Sequence, residues 1–288
     1  MSRKPTPPDR HTPATVQRLR LRYAKRGRLR FTSHRDFQRA LERALRRAAV
    51  PMAFSAGFSP HPKISFAGAA PTGAASEAEY AELGLAVVQD PEAVRIALDA
   101  ALPDGLDVLE IVEARGQSLA ERLQASHWRI EVPVAEMDGL AAAVEAFLAR
   151  ETVEVERLTK NGRKVFDVRP AILCLLVADP PYDPEAVAAA PGEVARAVSG
   201  SPQPVGYQVS SQACAILQVV VRHGTPAVRP DDVLSGLRLA SGFELSMSPR
   251  ATRLAQGPWD EVSGTVGDPL ALDRDAPVTP KVAEAVPR

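Results

Sequence analysis

The chain has little of several things that would declare a function. Among its 288 residues are two cysteines, Cys174 and Cys214. An iron–sulfur cluster takes three or four thiolates, so as it stands the chain is not a cluster enzyme. Far apart in sequence, and each in an apolar strand-like run, the two cysteines read as small buried hydrophobes rather than a disulfide. No apolar run approaches the ~20 residues of a membrane helix, and Met1 to Pro13 lacks the hydrophobic centre of a signal peptide. A cytoplasmic protein with no membrane partner is therefore expected. Net charge is absent too, because Lys+Arg and Asp+Glu both total 35. There is no G-x-x-x-x-G-K-[ST] phosphate loop, no G-x-G-x-x-G after a strand and no G-x-S-x-G elbow, which sets aside the commonest nucleotide-binding and hydrolase chemistries. Metal binding has little support. His34 and Asp36 stand only two apart, and although Glu77 and Glu79 are candidates to lie near, no second cluster has ligand spacing. Neither metal nor cofactor is expected.

What is present is a strong asymmetry of charge. Residues 1–50 hold 15 basic side chains against three acidic ones, a surplus of twelve that the remainder must cancel. Such a basic end favours nucleic acid or an acidic surface as partner, against the plainer reading of a solvated basic terminus.

Along the chain, residues 1–15 are rich in Pro, Arg and Thr without periodicity and read as a disordered arm. Leu19, Leu21 and Tyr23 alternate with Arg18, Arg20 and Arg22, which predicts a strand with one buried and one basic face. Gly27 marks a turn, after which Leu29 and Phe31 resume the alternation. Ser33 is suited to cap a helix, with Asp36 three residues on as its acidic partner. In that helix Phe37, Leu41, Ala44, Leu45 and Ala48 form the apolar stripe, while Arg35, Arg39, Arg43 and Arg46 line the opposite face. Glu42 alone is placed for an i, i+4 pair, with Arg46. A short strand start at Met52–Phe54 precedes turn chemistry at Gly57–Pro62, where Pro60 and Pro62 fix the backbone around His61. Extended runs at 63–67 and 77–88, a helix at 91–102 and a strand at 106–114 complete the order βαββαβ, that of a ferredoxin-like unit.

The second half repeats this order. A strand at 128–134, a helix at 137–150, strands at 153–158, within 164–178 and at 215–222, a helix at 230–239 and an extended segment at 243–253 follow in turn. The Ala-, Pro-, Gly- and Ser-rich stretch 179–212 reads as a mobile insertion. The expected fold is therefore α+β, with tandem ferredoxin-like units over residues 16–125 and 126–258, and a disordered tail over 259–288.

Chemistry concentrates between Phe31 and Ala67. His34 opens the basic helix and is a candidate general base or hydrogen-bond donor to a phosphate, or simply packs or adds to the cap. His61 sits on a rigid Pro-flanked loop with Lys63 beside it, or is incidental to a Pro-rich turn. Were the helix start and that loop to converge, His34 and His61 together would suit in-line cleavage of RNA, with Arg35, Arg39, Arg43, Arg46, His61 and Lys63 as the anion-binding set.

Over these same residues the sequence resembles the radical SAM-linked protein family. The words that carry the resemblance are SHRD at 33–36, RALERALRRA at 39–48, GFSPHPKISFA at 57–67 and SEAEY at 76–80, with a looser match ending at SPRATRLAQGPWDE over 248–261. The resemblance covers Arg18 to Val88 best. It implies a partner radical SAM protein that supplies the cluster cysteines, and it carries over no catalytic residue. Three functions remain: a non-catalytic module presenting RNA, tRNA or rRNA, to that partner; a metal-independent RNA endonuclease using His34 and His61, by analogy of fold with CRISPR RNA endonucleases; and a protein-only scaffold.

Overall fold

The structure is a computed structural model, and it describes residues 14–56, 58–133, 137–159, 162–178, 214–245 and 248–274. The expected arm, apart from residues 14 and 15, and the expected insertion lie outside the described residues. The architecture is mixed α+β, built on one eight-stranded sheet.

The first half contributes β1 (Gln17–Lys25), α1 (His34–Arg47), β2 (Ile64–Ala67), β3 (Ala75–Leu85), α2 (Pro91–Asp99) and β4 (Val108–Glu113). A four-residue helix, α3 (Leu119–Arg122), leads into the second half. There follow β5 (Ala125–Pro133), α4 (Met137–Leu148), a hairpin of β6 (Glu154–Thr159) and β7 (Gly162–Asp167), then β8 (Ile172–Ala178), β9 (Cys214–Arg222), α5 (Pro230–Ser241) and β10 (Arg250–Gly257). The strand order is β4-β1-β3-β10-β5-β9-β8, with β2 pairing the outer end of β3. Every pairing in the large sheet is antiparallel except the short parallel contact of β10 with β3 at Thr252–Ala75 and Arg253–Ser76. The eleven residues of β3 serve two purposes. Its last part pairs with β2, and its first part joins the two halves.

Alternation in β1 sends Leu19, Leu21 and Tyr23 to the face covered by α1 and α2, where Phe37, Leu41, Leu45, Val94 and Leu98 meet them. Phe37 stacks on Tyr23 with ring centroids 4.2 Å apart. A second core packs α4 and α5 on β5, β8 and β9 around Phe147, Leu140, Ile130, Leu217 and Leu237. These aliphatic and aromatic burials supply the main drive to fold, about 25 cal/mol per Å² of apolar surface removed from water.

Several local expectations change. After Gly27 the chain makes a 3-10 turn, Gly27–Phe31, rather than a second strand. Gly27 has φ +54°, a left-handed conformation that costs glycine least, and this turns the alternation of Leu29 and Phe31 away from a hairpin. Met52 and Phe54 make only isolated bridges. The extended run at 164–178 is broken by a 3-10 turn at Arg169–Ala171, where Pro170 cannot donate to a ladder.

Of the expected disordered tail, residues 259–274 need the largest correction, while residues 275–288 lie outside the described residues. Residues Trp259–Asp260 (β11) and Thr265–Val266 (β12) form a small hairpin, and α6 (Ala271–Arg274) follows it. Asp273 is fully buried, and its carboxylate receives Arg20 Nη1 at 3.0 Å, Arg122 Nη1 at 2.8 Å and the Arg115 backbone N–H at 2.8 Å. The basic face expected of β1 is thus largely closed. Arg20 also meets Glu82 at 3.1 Å, and Arg22 donates to the Glu77 carbonyl.

The seam between the halves is polar. Arg253 pairs with Glu79, donates to the Gly68 carbonyl at 2.6 Å and lies over the Trp128 ring at 5.3 Å. Burial alone would raise the Glu79 carboxyl, yet Arg253, Ser76 and the Ala70 N–H together hold it below its ordinary value.

Candidate nucleic-acid interface

Helix α1 forms as its sequence implies. Ser33 Oγ accepts the Asp36 backbone N–H at 3.2 Å, capping a 14-residue helix that buries Phe37, Leu41, Ala44 and Leu45. The faces of a 3.6-residue repeat then leave Arg35, Arg39, Arg43 and Arg46 exposed to solvent. Carboxylates near them are few. Asp36 reaches Arg39 at a loose 3.7 Å, and Glu42 accepts from Gln38 rather than pairing with Arg46. Among the described residues, Arg35, Arg43 and Arg46 take part in no ion pair with a described carboxylate. Arg47, at the end of the helix, donates to the Ala101 carbonyl.

The histidines are not brought together. His34 is exposed at the first turn, its ring set edge-on to Phe66 with centroids 4.7 Å apart. His61 is held at the far end of the unit, where its N–H donates to Ser55 Oγ at 3.0 Å and its carbonyl accepts the Ser55 N–H. The ladder fixes this separation. The Lys63 N–H donates to Ala53, Ala53 donates to Gly84, and the Met52 N–H donates to Val50 just beyond the C-terminal end of α1. No described contact links the two imidazoles.

Lys63 also departs from the proposed set. It donates to Thr15 Oγ1 at 3.1 Å and lines an open groove of about 400 Å³ with Thr15, Arg18, Ser65, Glu82 and Gly84. Arg18 and Glu82 lie on the face of β1 and β3 that carries Arg20, away from α1, and they pair at 3.5 Å. Of the six anion-binding candidates, Arg35, Arg39, Arg43 and Arg46 therefore share one surface, while His61 and Lys63 lie elsewhere.

The six candidates do not include Arg28, Arg30 or Phe31, although both arginines belong to the basic surplus and Phe31 opens the chemistry-rich stretch. The 3-10 turn carries them immediately before α1 and buries none of its residues. Gly27 was the available signal, because a glycine in the left-handed region ends an alternating strand. Metal chemistry gains nothing from the fold. Among the described residues no group of three His, Cys, Asp or Glu side chains gathers to hold an ion. Glu77 and Glu79 are already taken by Arg26 and Arg253. Burial pushes the Cys174 thiol up to about 11, which suits a structural rather than a reactive cysteine.

His127 and His223 are structural as well. His127 is buried, and its Nε2 shares a 2.6 Å hydrogen bond with Gln218 Oε1. Burial pushes its imidazole down to about 4, so the ring is neutral near pH 7. His223 bridges Ser126 Oγ and the Leu123 carbonyl, both at 2.7 Å.

Fold and site together define a mixed α+β protein whose first helix presents a guanidinium surface to solvent. Residues 18–230 match a family described as "Uncharacterized protein conserved in bacteria (DUF2344)". That match takes in most of the chain, and the chain belongs to this family. No curated protein matches it. No helix among the described residues is long and apolar enough to cross a membrane.

Proposed function

We propose that this chain is a cytoplasmic RNA-binding accessory protein that acts with a partner radical SAM enzyme, and that α1 is its RNA-contacting surface. The observation that carries the reading is a contrast in how arginines are used. Arg20, Arg26, Arg122, Arg157, Arg253 and Arg274 all meet carboxylates. Along α1 only the loose Arg39–Asp36 contact of 3.7 Å remains, and like charges stand one turn apart on a single face. Repulsion of this kind is relieved by a polyanion, and counterion release from RNA phosphates supplies the affinity. The phosphates of tRNA or rRNA fit that requirement.

The partner half of the proposal rests on the sequence resemblance to radical SAM-linked proteins. We further infer that each half is a ferredoxin-like unit. The orders β4-β1-β3-β2 and β10-β5-β9-β8 support this, since both place fourth, first, third and second strands side by side and antiparallel. The β6–β7 hairpin is then an addition to the second unit.

Titrating fluorescein-labelled tRNA with the pure protein between 50 and 200 mM salt tests the reading. Affinity is expected to fall steeply with salt. The triple variant R39A/R43A/R46A is expected to lower the log–log slope by about 2 to 3, one counterion term for each lost contact. Binding that is absent or indifferent to salt overturns the proposal. If a partner protein is instead retained after nuclease treatment by a chain without RNA affinity, the surface is a protein scaffold.

A further inference from the structure

We infer that the bound RNA is single-stranded where it meets the start of α1, with an unpaired base stacking on Phe31. The inference rests on the reading of α1 as the RNA surface and adds what that surface selects. Phe31 is 58% exposed, although a phenyl ring with no polar atom gains nothing from water. The Arg30 guanidinium lies over this ring, its carbon 4.6 Å from the centroid. A ring with a guanidinium over one face and more than half of its area open is a combination that grips a nucleotide, the uncovered side taking the base and the cation its phosphate.

The turn that presents Phe31 is firmly held. Arg26 pairs with Glu77 and Asp107 at 2.5 and 2.6 Å, and its N–H donates to the Gly105 carbonyl at 2.8 Å. Leu29 packs against the α1 core, the Thr32 N–H donates to the Leu29 carbonyl, and the Gly73 N–H donates to the Arg30 carbonyl. Residues 26, 29 and the Arg30 backbone are therefore anchored inward, while Arg28 and the Phe31 ring are left outward. Arg35, on the first turn of α1, continues the basic surface from there. In a duplex the bases are stacked on each other and their faces are unavailable, so a platform of this type discriminates for unpaired RNA.

The test compares two 12-residue probes with equal phosphate counts, oligoadenylate and an abasic ribose-phosphate strand, by fluorescence anisotropy. The wild-type chain is expected to bind oligoadenylate about tenfold more tightly, the size of one base–aromatic stack. Phe31→Ala is expected to bring the two affinities together while leaving abasic binding and the thermal midpoint unchanged. Phe31→Trp is expected to keep the preference. Equal wild-type affinity for both probes, or a preference that survives Phe31→Ala, overturns the stacking inference and leaves the α1 reading standing. Failure to bind either probe overturns both.

Discussion

Replacing Asp273 with Ala removes one carboxylate that serves two buried guanidinium groups. The side chains of Asp273, Arg20 and Arg122 are all but inaccessible to solvent. Removing one member of a buried ionic group costs about 3–5 kcal/mol, because the remaining charge stays desolvated without its partner. The lower end applies here. Arg20 keeps Glu82 and the carbonyls of Arg115 and Gln117, and Arg122 keeps the carbonyls of Pro269 and Arg115. A loss of about 3 kcal/mol is expected. At roughly 2–4 °C per kcal/mol for a chain of this size, the thermal midpoint falls by about 6–12 °C. Asp273→Asn, which keeps one acceptor oxygen, is expected to lose less. Differential scanning calorimetry reads both. A midpoint for Asp273→Ala within about 1 °C of wild type would refute the assignment of residues 259–274 to the folded unit.

The buried His127 gives a pH prediction with a definite sign. Its folded value of about 4 lies below the ordinary 6.5, so the unfolded chain takes up the proton first and stability is lost as pH falls from 6.5 towards 4. Between pH 7 and 5 this one group contributes a loss of about 2 kcal/mol. Urea unfolding of His127→Asn should show a pH slope shallower by that amount, and parallel slopes would contradict the burial. Gly236→Ala tests the packing of α5. Helix propensity alone favours alanine by about 1 kcal/mol, but the new methyl would sit 2.7 Å from Phe147 Cε2 and 3.3 Å from Val153 Cγ1. Overpacking of that kind costs about 1–3 kcal/mol, so a lowered midpoint is expected and a raised one would show that the core yields.

Helix α1 was legible because its evidence is local. The Ser33 cap, the apolar stripe and the arginine face all lie within 16 residues. The site was legible only where it coincided with that helix. No described contact joins His34 to His61, and the direction of β2 between them is set by its ladder to β3, a pairing no local pattern encodes. Phe31 was hidden because the spacing of Leu29 and Phe31 reads as one face of a strand, whereas in a 3-10 turn positions two apart point to different sides, Leu29 to the core and Phe31 to solvent. The Glu42–Arg46 pair gave way to Gln38–Glu42, which has the same i, i+4 spacing. The C-terminal segment has a loose composition, and its order depends on Asp273 meeting Arg20 across 253 positions of sequence. Long-range ion pairs of this kind leave no periodic trace.

The central claim is that α1 and the turn before it hold RNA. Ultraviolet crosslinking in cells, followed by mass spectrometry of the crosslinked peptides, tests it most directly. The account predicts RNA adducts on peptides from Gly27 to Arg47, with Phe31 among the modified residues. Adducts confined to other surfaces, such as the β6–β7 hairpin, or an absence of crosslinked RNA would contradict it.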